Sequence, residues 1–150
     1  MAQSLSNIIL HLVFSTKQRR EMIGPRVLKD LHAYLAGTCR ALGSPAFRVG
    51  GTSNHVHIAC SLSRTMTVSQ LLEKMKSSSS AWMKSNKGGC PDFAWQSGYG
   101  AFSAGASQIE ALVQYIDNQH DHHRAVSFEQ EVLDLLHRYA VPYDERYLWD

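Results

Sequence analysis

The stretch "AFRVGGTSNHVHIACSL", residues 46–62, decides how the chain is organised. Its two ends, "AFRVGG" and "HVHIACSL", read as short strands, and the intervening "GGTSN" is a glycine-containing hairpin connection. Adjacent antiparallel strands are expected. Successive side chains on a strand point to opposite faces, so His55, His57 and Ala59 share one face while Val56, Ile58 and Cys60 take the other. Two imidazoles on one face can chelate a single ion while the apolar set fastens the strand to a core. Two ordinary histidines on a half-exposed strand give the same pattern, so the pair alone leaves both readings open.

Outward from the hairpin, "NIILHLVFST" (residues 7–16) has the β-branched and apolar content of a central strand. Pro25 can occupy a first helical position, and Val27, Leu28, Leu31, Tyr34, Leu35 and Leu42 recur at helical spacing until Gly43. Beyond the hairpin, Thr67 and Gln70 form a capping box ahead of the stripe Leu71, Leu72, Met75, Trp82 and Met83. A loop with Gly88, Gly89 and Pro91 leads to "FAWQSGYGAF" (residues 93–102), a strand broken by glycines. Ser107 with Glu110 predicts a helix to about residue 123, and Ser127 with Gln130 another to about residue 139.

The order β-α-β-β-α-β followed by two helices predicts an α+β, ferredoxin-like (split βαβ) antiparallel sheet with helices packed on it. That fold serves many functions and decides none. One domain over residues 1–150 is expected, since 44% hydrophobic residues suffice for a sizeable core. No apolar run is long enough to span a bilayer, and the N-terminus lacks the plan of a signal peptide, so a cytoplasmic protein with no membrane partner is expected. Cys39, Cys60 and Cys90 are far apart with no CxxC, which argues against a disulfide framework or a thiolate zinc site.

Charge is split along the chain. Residues 1–90 hold twelve Lys and Arg against three acids, and residues 91–150 hold three Arg against ten acids. The asymmetry fits a basic surface for a polyanion, and it fits equally two halves that neutralise each other. The cations that would contact a nucleic acid are Lys17, Arg19 and Arg20 after the first strand and Lys74, Lys76 and Lys84 on the polar side of the serine-rich helix.

The late segment "SQIEALVQYIDNQHDHH" carries Tyr115 and Gln119 at i and i+4, beside the core stripe of Ile109, Val113 and Ile116. A phenol and an amide are displayed together. His120, His122 and His123 scatter around a continuous helix, with only His120 near that stripe, so a capping or phosphate-contact role is preferred to a second metal site. His11 reads as a satisfied sheet histidine. Tyr139, Tyr143 and Tyr147 have no ligand-type residue at helical spacing.

Across nearly its whole length the chain resembles the HUH (His-hydrophobe-His) single-tyrosine transposases of bacterial insertion sequences, the IS200-like and REP-associated group. The resemblance rests on "LHLVFSTKQRR", "NHVHIAC", "FAWQSGYGAFS", "VQYIDNQHDHH" and "YDERYLW", in the family's order. It implies a DNA transposase that cleaves and rejoins single-stranded DNA bearing hairpin ends through a covalent 5′-phosphotyrosine. It further implies Tyr115 as nucleophile, His55, His57 and Gln119 as ligands of a divalent metal, Mg2+ or Mn2+, and a homodimer. One position departs from the pattern: Asn54 stands where relatives often carry aspartate, which removes a charge from beside His55. The alternative from another class is a non-catalytic, domesticated or inactive nucleic-acid-binding relative of the same fold.

Overall fold

The computed structural model describes residues 2–150. The hairpin forms as the sequence predicts: β2 (Ala46–Thr52) and β3 (His55–Ser61) are antiparallel and joined at Ser53 and Asn54. Gly51, with φ 146°, makes the turn possible, because a Cβ there would meet the His55 carbonyl oxygen at 2.1 Å. β3 then pairs with β1 (Ile9–Ser15), and β1 with β4 (Gly100–Ala104), giving an antiparallel sheet in the order β2-β3-β1-β4. With α1 (Leu28–Ala41) between β1 and β2, and α2 (Val68–Lys84) between β3 and β4, this is the split βαβ arrangement.

Alternation along the strands sorts the two faces. Leu10, Leu12 and Phe14 of β1 and Val56, Ile58 and Cys60 of β3 are buried against α1 and α2, in a cluster that includes Leu31, Leu35, Leu71, Met75 and Trp95. Each such aliphatic side chain contributes about 1.5–3 kcal/mol of burial, so this face carries most of the apolar stabilisation. Thr67 and Gln70 make both hydrogen bonds of the predicted capping box at the start of α2. Buried Ser79 accepts from Trp95 Nε1 at 2.9 Å, which explains how a run of serines lies inside a core-facing helix. Gly43, with φ 71°, follows α1 as expected.

The opposite face carries Ile9, His11, Val13, His55, His57 and Ala59, and the chain after β4 covers it. Here the structure differs in detail from the sequence expectation. The predicted helix from Ser107 is split into α3 (Ile109–Asp117) and α4 (Gln119–Ala125), because Asn118 leaves helical geometry at φ −94°, ψ 16°. The predicted Ser107–Glu110 box is replaced by Gln108, whose Oε1 accepts from Gly105 N–H at 2.8 Å. Ser127 does cap α5 (Phe128–Arg138), accepting from Gln130 N–H at 3.1 Å. Three helices, not two, therefore follow the sheet. The predicted fourth strand also shortens: only Gly100–Ala104 pairs fully, while residue 95 makes an isolated bridge to Thr16. No helix among the described residues is long and apolar enough to cross a membrane.

Candidate metal and tyrosine site

β3 delivers His55 and His57 side by side to the covered face, both fully buried, with ring centroids 5.1 Å apart. The α3–α4 break delivers the rest. Tyr115 ends up on α3 with its ring 5.6 Å from that of His57, and Gln119 opens α4 with its Oε1 2.8 Å from His55 Nε2. The four residues singled out from sequence are thus brought together by a single chain.

Two further residues sit at the centre, Glu131, which the sequence did not single out, and His123, for which it favoured a capping or phosphate-contact role. Glu131 of α5 is 2% exposed, and its Oε1 lies 2.9 Å from His57 Nε2, 3.2 Å from His123 Nε2 and 3.7 Å from His55 Nε2. Its other oxygen, Oε2, accepts from Gln119 Nε2 at 3.0 Å and from the Tyr115 hydroxyl. His123, one helical turn after Gln119, places Nε2 2.9 Å from Gln119 Oε1. His122 Nε2 stands 3.2 Å from Glu131 Oε2 without hydrogen-bond alignment. The expectation that His120 alone would approach the core stripe is overturned: His120 is exposed, and the break at Asn118 turns His123 inward instead.

A second set of groups orients these rings. His55 Nδ1 lies 2.8 Å from Asn54 Oδ1 and 3.1 Å from Thr52 Oγ1, and His57 Nδ1 shares a 2.7 Å hydrogen bond with His11 Nε2. His11 is a buried sheet histidine as expected, and it also bears on the site. Asn54 occupies the orienting position with a neutral carbonyl oxygen in place of a carboxylate.

Electrostatics follow from burial. Desolvation, then the His57 charge, holds both His55 and His11 down at about 3, so both are neutral at ordinary pH. Burial alone would raise Glu131, but hydrogen bonds from His123 and His57, the His57 charge and the Tyr115 hydroxyl keep it well below the usual carboxylate range. Burial pulls His123 down, yet its hydrogen bond to Glu131 and that charge outweigh burial and raise it. Burial first, then Glu131, pushes the Tyr115 phenol upward.

The site lies between two clefts. One, of about 220 Å3, is lined by Tyr115, His11, Gln108, Arg138 and Tyr139; the other, of about 330 Å3, by His55, His123, His120, Arg124 and Asn54.

The basic residues named from sequence are placed unevenly. Lys17, Arg20, Lys74 and Lys84 are exposed. Arg19 pairs with Glu129 at 2.7 Å and lies over the Trp149 ring, and Lys76 Nζ donates to the Ser97 and Gly98 carbonyls at 3.3 and 2.9 Å. With Arg48 3.3 Å from Asp117, part of the charge split is neutralised within the chain.

Residues 4–119 match the family model for IS200-like transposases. This chain belongs to that transposase family. No curated protein matches. Among solved structures, a Deinococcus radiodurans protein assigned as a transposase is similar at TM-score 0.58 and 17% identity, covering 79% of this chain and 98% of its own. A REP-associated tyrosine transposase, solved bound to a REP hairpin, is similar at TM-score 0.59 and 13% identity, over 96% of this chain and 93% of its own. These likenesses concern the fold. The IS200-like match ends at Gln119, so His123 and Glu131 lie beyond it.

Proposed function

We propose that this transposase acts as one domain over residues 1–150, cutting and rejoining single-stranded DNA with hairpin ends through a covalent 5′-phosphotyrosine at Tyr115. The observation that carries the reading is the position of Tyr115: within its own chain, its ring stands 5.6 Å from His57, inside the cluster that also holds His55 and Gln119. The Tyr115 oxygen forms the bond to phosphorus, the bond from phosphorus to the 3′ oxygen breaks, and the proton lost by the phenol is matched by one gained at the 3′ oxygen. The bond energy is kept, so a 3′-hydroxyl can reverse the step without an external energy source. Glu131 Oε2 accepts a hydrogen bond from the phenol, which orients the attacking oxygen. Arg138, in the same cleft as Tyr115, supplies a cation for the scissile phosphate.

His55, His57 and Gln119 are the residues that would hold a divalent ion, Mg2+ or Mn2+. Their fit is chemical: two buried imidazoles turn Nε2 into the cluster, that of His55 facing the Gln119 carbonyl oxygen at 2.8 Å and that of His57 facing Glu131 at 2.9 Å. When bound, such an ion supplies Lewis acidity to a phosphoryl oxygen. Exposed Lys17, Arg20, Lys74 and Lys84, with Arg19 and Lys76, are the proposed contacts to phosphates. The DNA-bound state of the REP-associated neighbour supports a DNA partner. Tyr115 reaches its own chain's histidines, which supports action in cis, and a homodimer of two complete sites accords with it.

One observation favours the alternative of a non-catalytic DNA-binding relative. Burial and Glu131 together hold the Tyr115 phenol protonated. Incubation with hairpin-bearing single-stranded DNA and Mn2+, followed by denaturing electrophoresis, separates the two. A covalent adduct that Tyr115→Phe abolishes supports the enzyme, and binding without adduct supports the relative.

A further inference from the structure

Glu131 is an unusual occupant of its helix. It falls on the buried stripe of α5 with Phe128, Leu135 and Leu136, at 2% exposure, and no Lys or Arg pairs with it among the described residues. A carboxylate so placed needs positive charge beside it. The imidazole nitrogens of three histidines from β3 and α4 surround its Oε1 instead.

The hydrogen-bond directions sharpen this. His123 Nδ1 lies 2.7 Å from the Val126 carbonyl oxygen, which can only accept, so Nδ1 carries the hydrogen. His123 Nε2 then faces two oxygens, Gln119 Oε1 at 2.9 Å and Glu131 Oε1 at 3.2 Å. His55 repeats the pattern, with Nδ1 against Asn54 Oδ1 and Nε2 against Gln119 Oε1, both at 2.8 Å. Nitrogens that converge on carbonyl and carboxylate oxygens are what a cation satisfies, a proton shared with Glu131 in the ion-free site and a metal ion in its place when one is bound. One donor atom each from His55, His57, His123 and Glu131 lies within 4.8 Å of all the others, close enough for small side-chain movements to bring them onto a single ion with bonds of about 2.0–2.2 Å.

We infer that His123 and Glu131 complete the metal centre of this transposase, so that three imidazoles, one carboxylate and the Gln119 amide oxygen hold the ion, and that the centre takes a first-row transition dication in preference to Mg2+. The inference rests on the metal-dependent reading above and deepens it. His55, His57 and Gln119 are all neutral donors, and a buried dication held by them alone has no charge to balance it. Glu131 provides that charge through Oε1 while Oε2 holds the Tyr115 hydroxyl, which couples ion binding to the position of the nucleophile. Imidazole suits Mn2+, Zn2+ and their neighbours, whereas Mg2+ prefers oxygen ligands and keeps its waters.

The test uses the full chain stripped with a chelator and titrated with Mn2+, free ion being read by electron paramagnetic resonance. Wild type binds one Mn2+, and Mg2+ in 100-fold excess fails to displace it. Glu131→Gln and His123→Ala each weaken Mn2+ binding by about 100-fold, and His55→Ala abolishes it. Zn2+ binding to the 15N-histidine-labelled wild type gives a readout that needs no variant: the Nε2 resonances of His55, His57 and His123 all move. Movement of only two, or Mn2+ affinity within twofold of wild type in both Glu131→Gln and His123→Ala while His55→Ala loses it, overturns this inference and leaves the His55–His57–Gln119 site standing. Absence of ion binding by wild type overturns both.

Discussion

Gly50 of β2 lies so close to Ile116 of α3 that a Cβ added to it would stand 2.6 Å from Ile116 Cγ2 and 2.8 Å from the Ile116 carbonyl oxygen. Gly50 is also the register partner of His57, and Tyr115 precedes Ile116. The missing side chain therefore sets the distance between the histidine strand and the tyrosine helix. In Gly50→Ala the helix backbone must move out, at a cost of about 1–3 kcal/mol for overpacking. Thermal denaturation should show a folded but destabilised protein, and the rate of adduct formation with single-stranded DNA should fall at least about tenfold, as a misplacement of reacting groups by an ångström costs more than that.

Asn54 orients His55 through its side-chain oxygen, at 2.8 Å from Nδ1. Asn54→Leu leaves that ring nitrogen only the longer contact to Thr52 Oγ1, at 3.1 Å, and should weaken Mn2+ binding by roughly 10- to 100-fold. Asn54→Asp restores an acceptor with charge and should bind at least as tightly as wild type. Isothermal titration of the three proteins orders them; equal affinities would remove Asn54 from the site.

The β3 half of this site was legible from residues 46–62 because it depends on a local period: alternation alone puts His55 and His57 on one face. The capping box at Thr67 and Gln70 was legible for the same reason, being complete within four residues. The roles of His123 on α4 and Glu131 on α5 were not, and for His123 the reason is a break. Asn118 interrupts an otherwise helical pattern, and a continuous helix would have sent His123 elsewhere. Glu131 did leave one signal, a carboxylate at a position of the Phe128–Leu135 stripe where an apolar residue is expected, and an acid on a core stripe asks for a partner. The partner itself is 74 residues away in the chain, at His57, where no local rule reaches.

His32 gives a stability signature outside the site. Its Nε2 is buried without a partner, and burial, with the charge of His120 second, lowers its pKa to about 4. The unfolded chain binds this proton near the ordinary value of about 6.5, so between those limits the unfolded state holds more protons and stability falls as pH falls. Urea denaturation at pH 7 and pH 4 should show wild type losing up to about 3 kcal/mol more than His32→Leu, since each tenfold difference in proton affinity between the folded and unfolded chain is worth about 1.4 kcal/mol. Identical losses would mean the ring ionises freely in the fold.

Lys76 and Lys84 should contribute to DNA binding differently. Lys84 is exposed, and Lys84→Ala should lower the slope of log affinity against log salt for single-stranded DNA by about 0.7. Lys76 is half-buried beside the Phe14 ring, and burial lowers its pKa to about 8. It is charged below that pH and neutral above it. Fluorescence anisotropy from pH 7 to pH 9 should show wild type losing affinity that Lys76→Arg retains; parallel curves would take Lys76 out of the phosphate-binding surface.

Tyr115, standing beside His57 with its hydroxyl on Glu131, is the residue proposed to form the bond to DNA, and everything else in the mechanism depends on it. Mass spectrometry of the trypsin-digested adduct tests this most directly. Residues 88–124 form one tryptic peptide containing Tyr99 and Tyr115, and it should carry the 5′-phosphorylated fragment on Tyr115, only when a divalent ion is present. An adduct on Tyr99 or a C-terminal tyrosine, or cleavage with no adduct, would contradict that assignment.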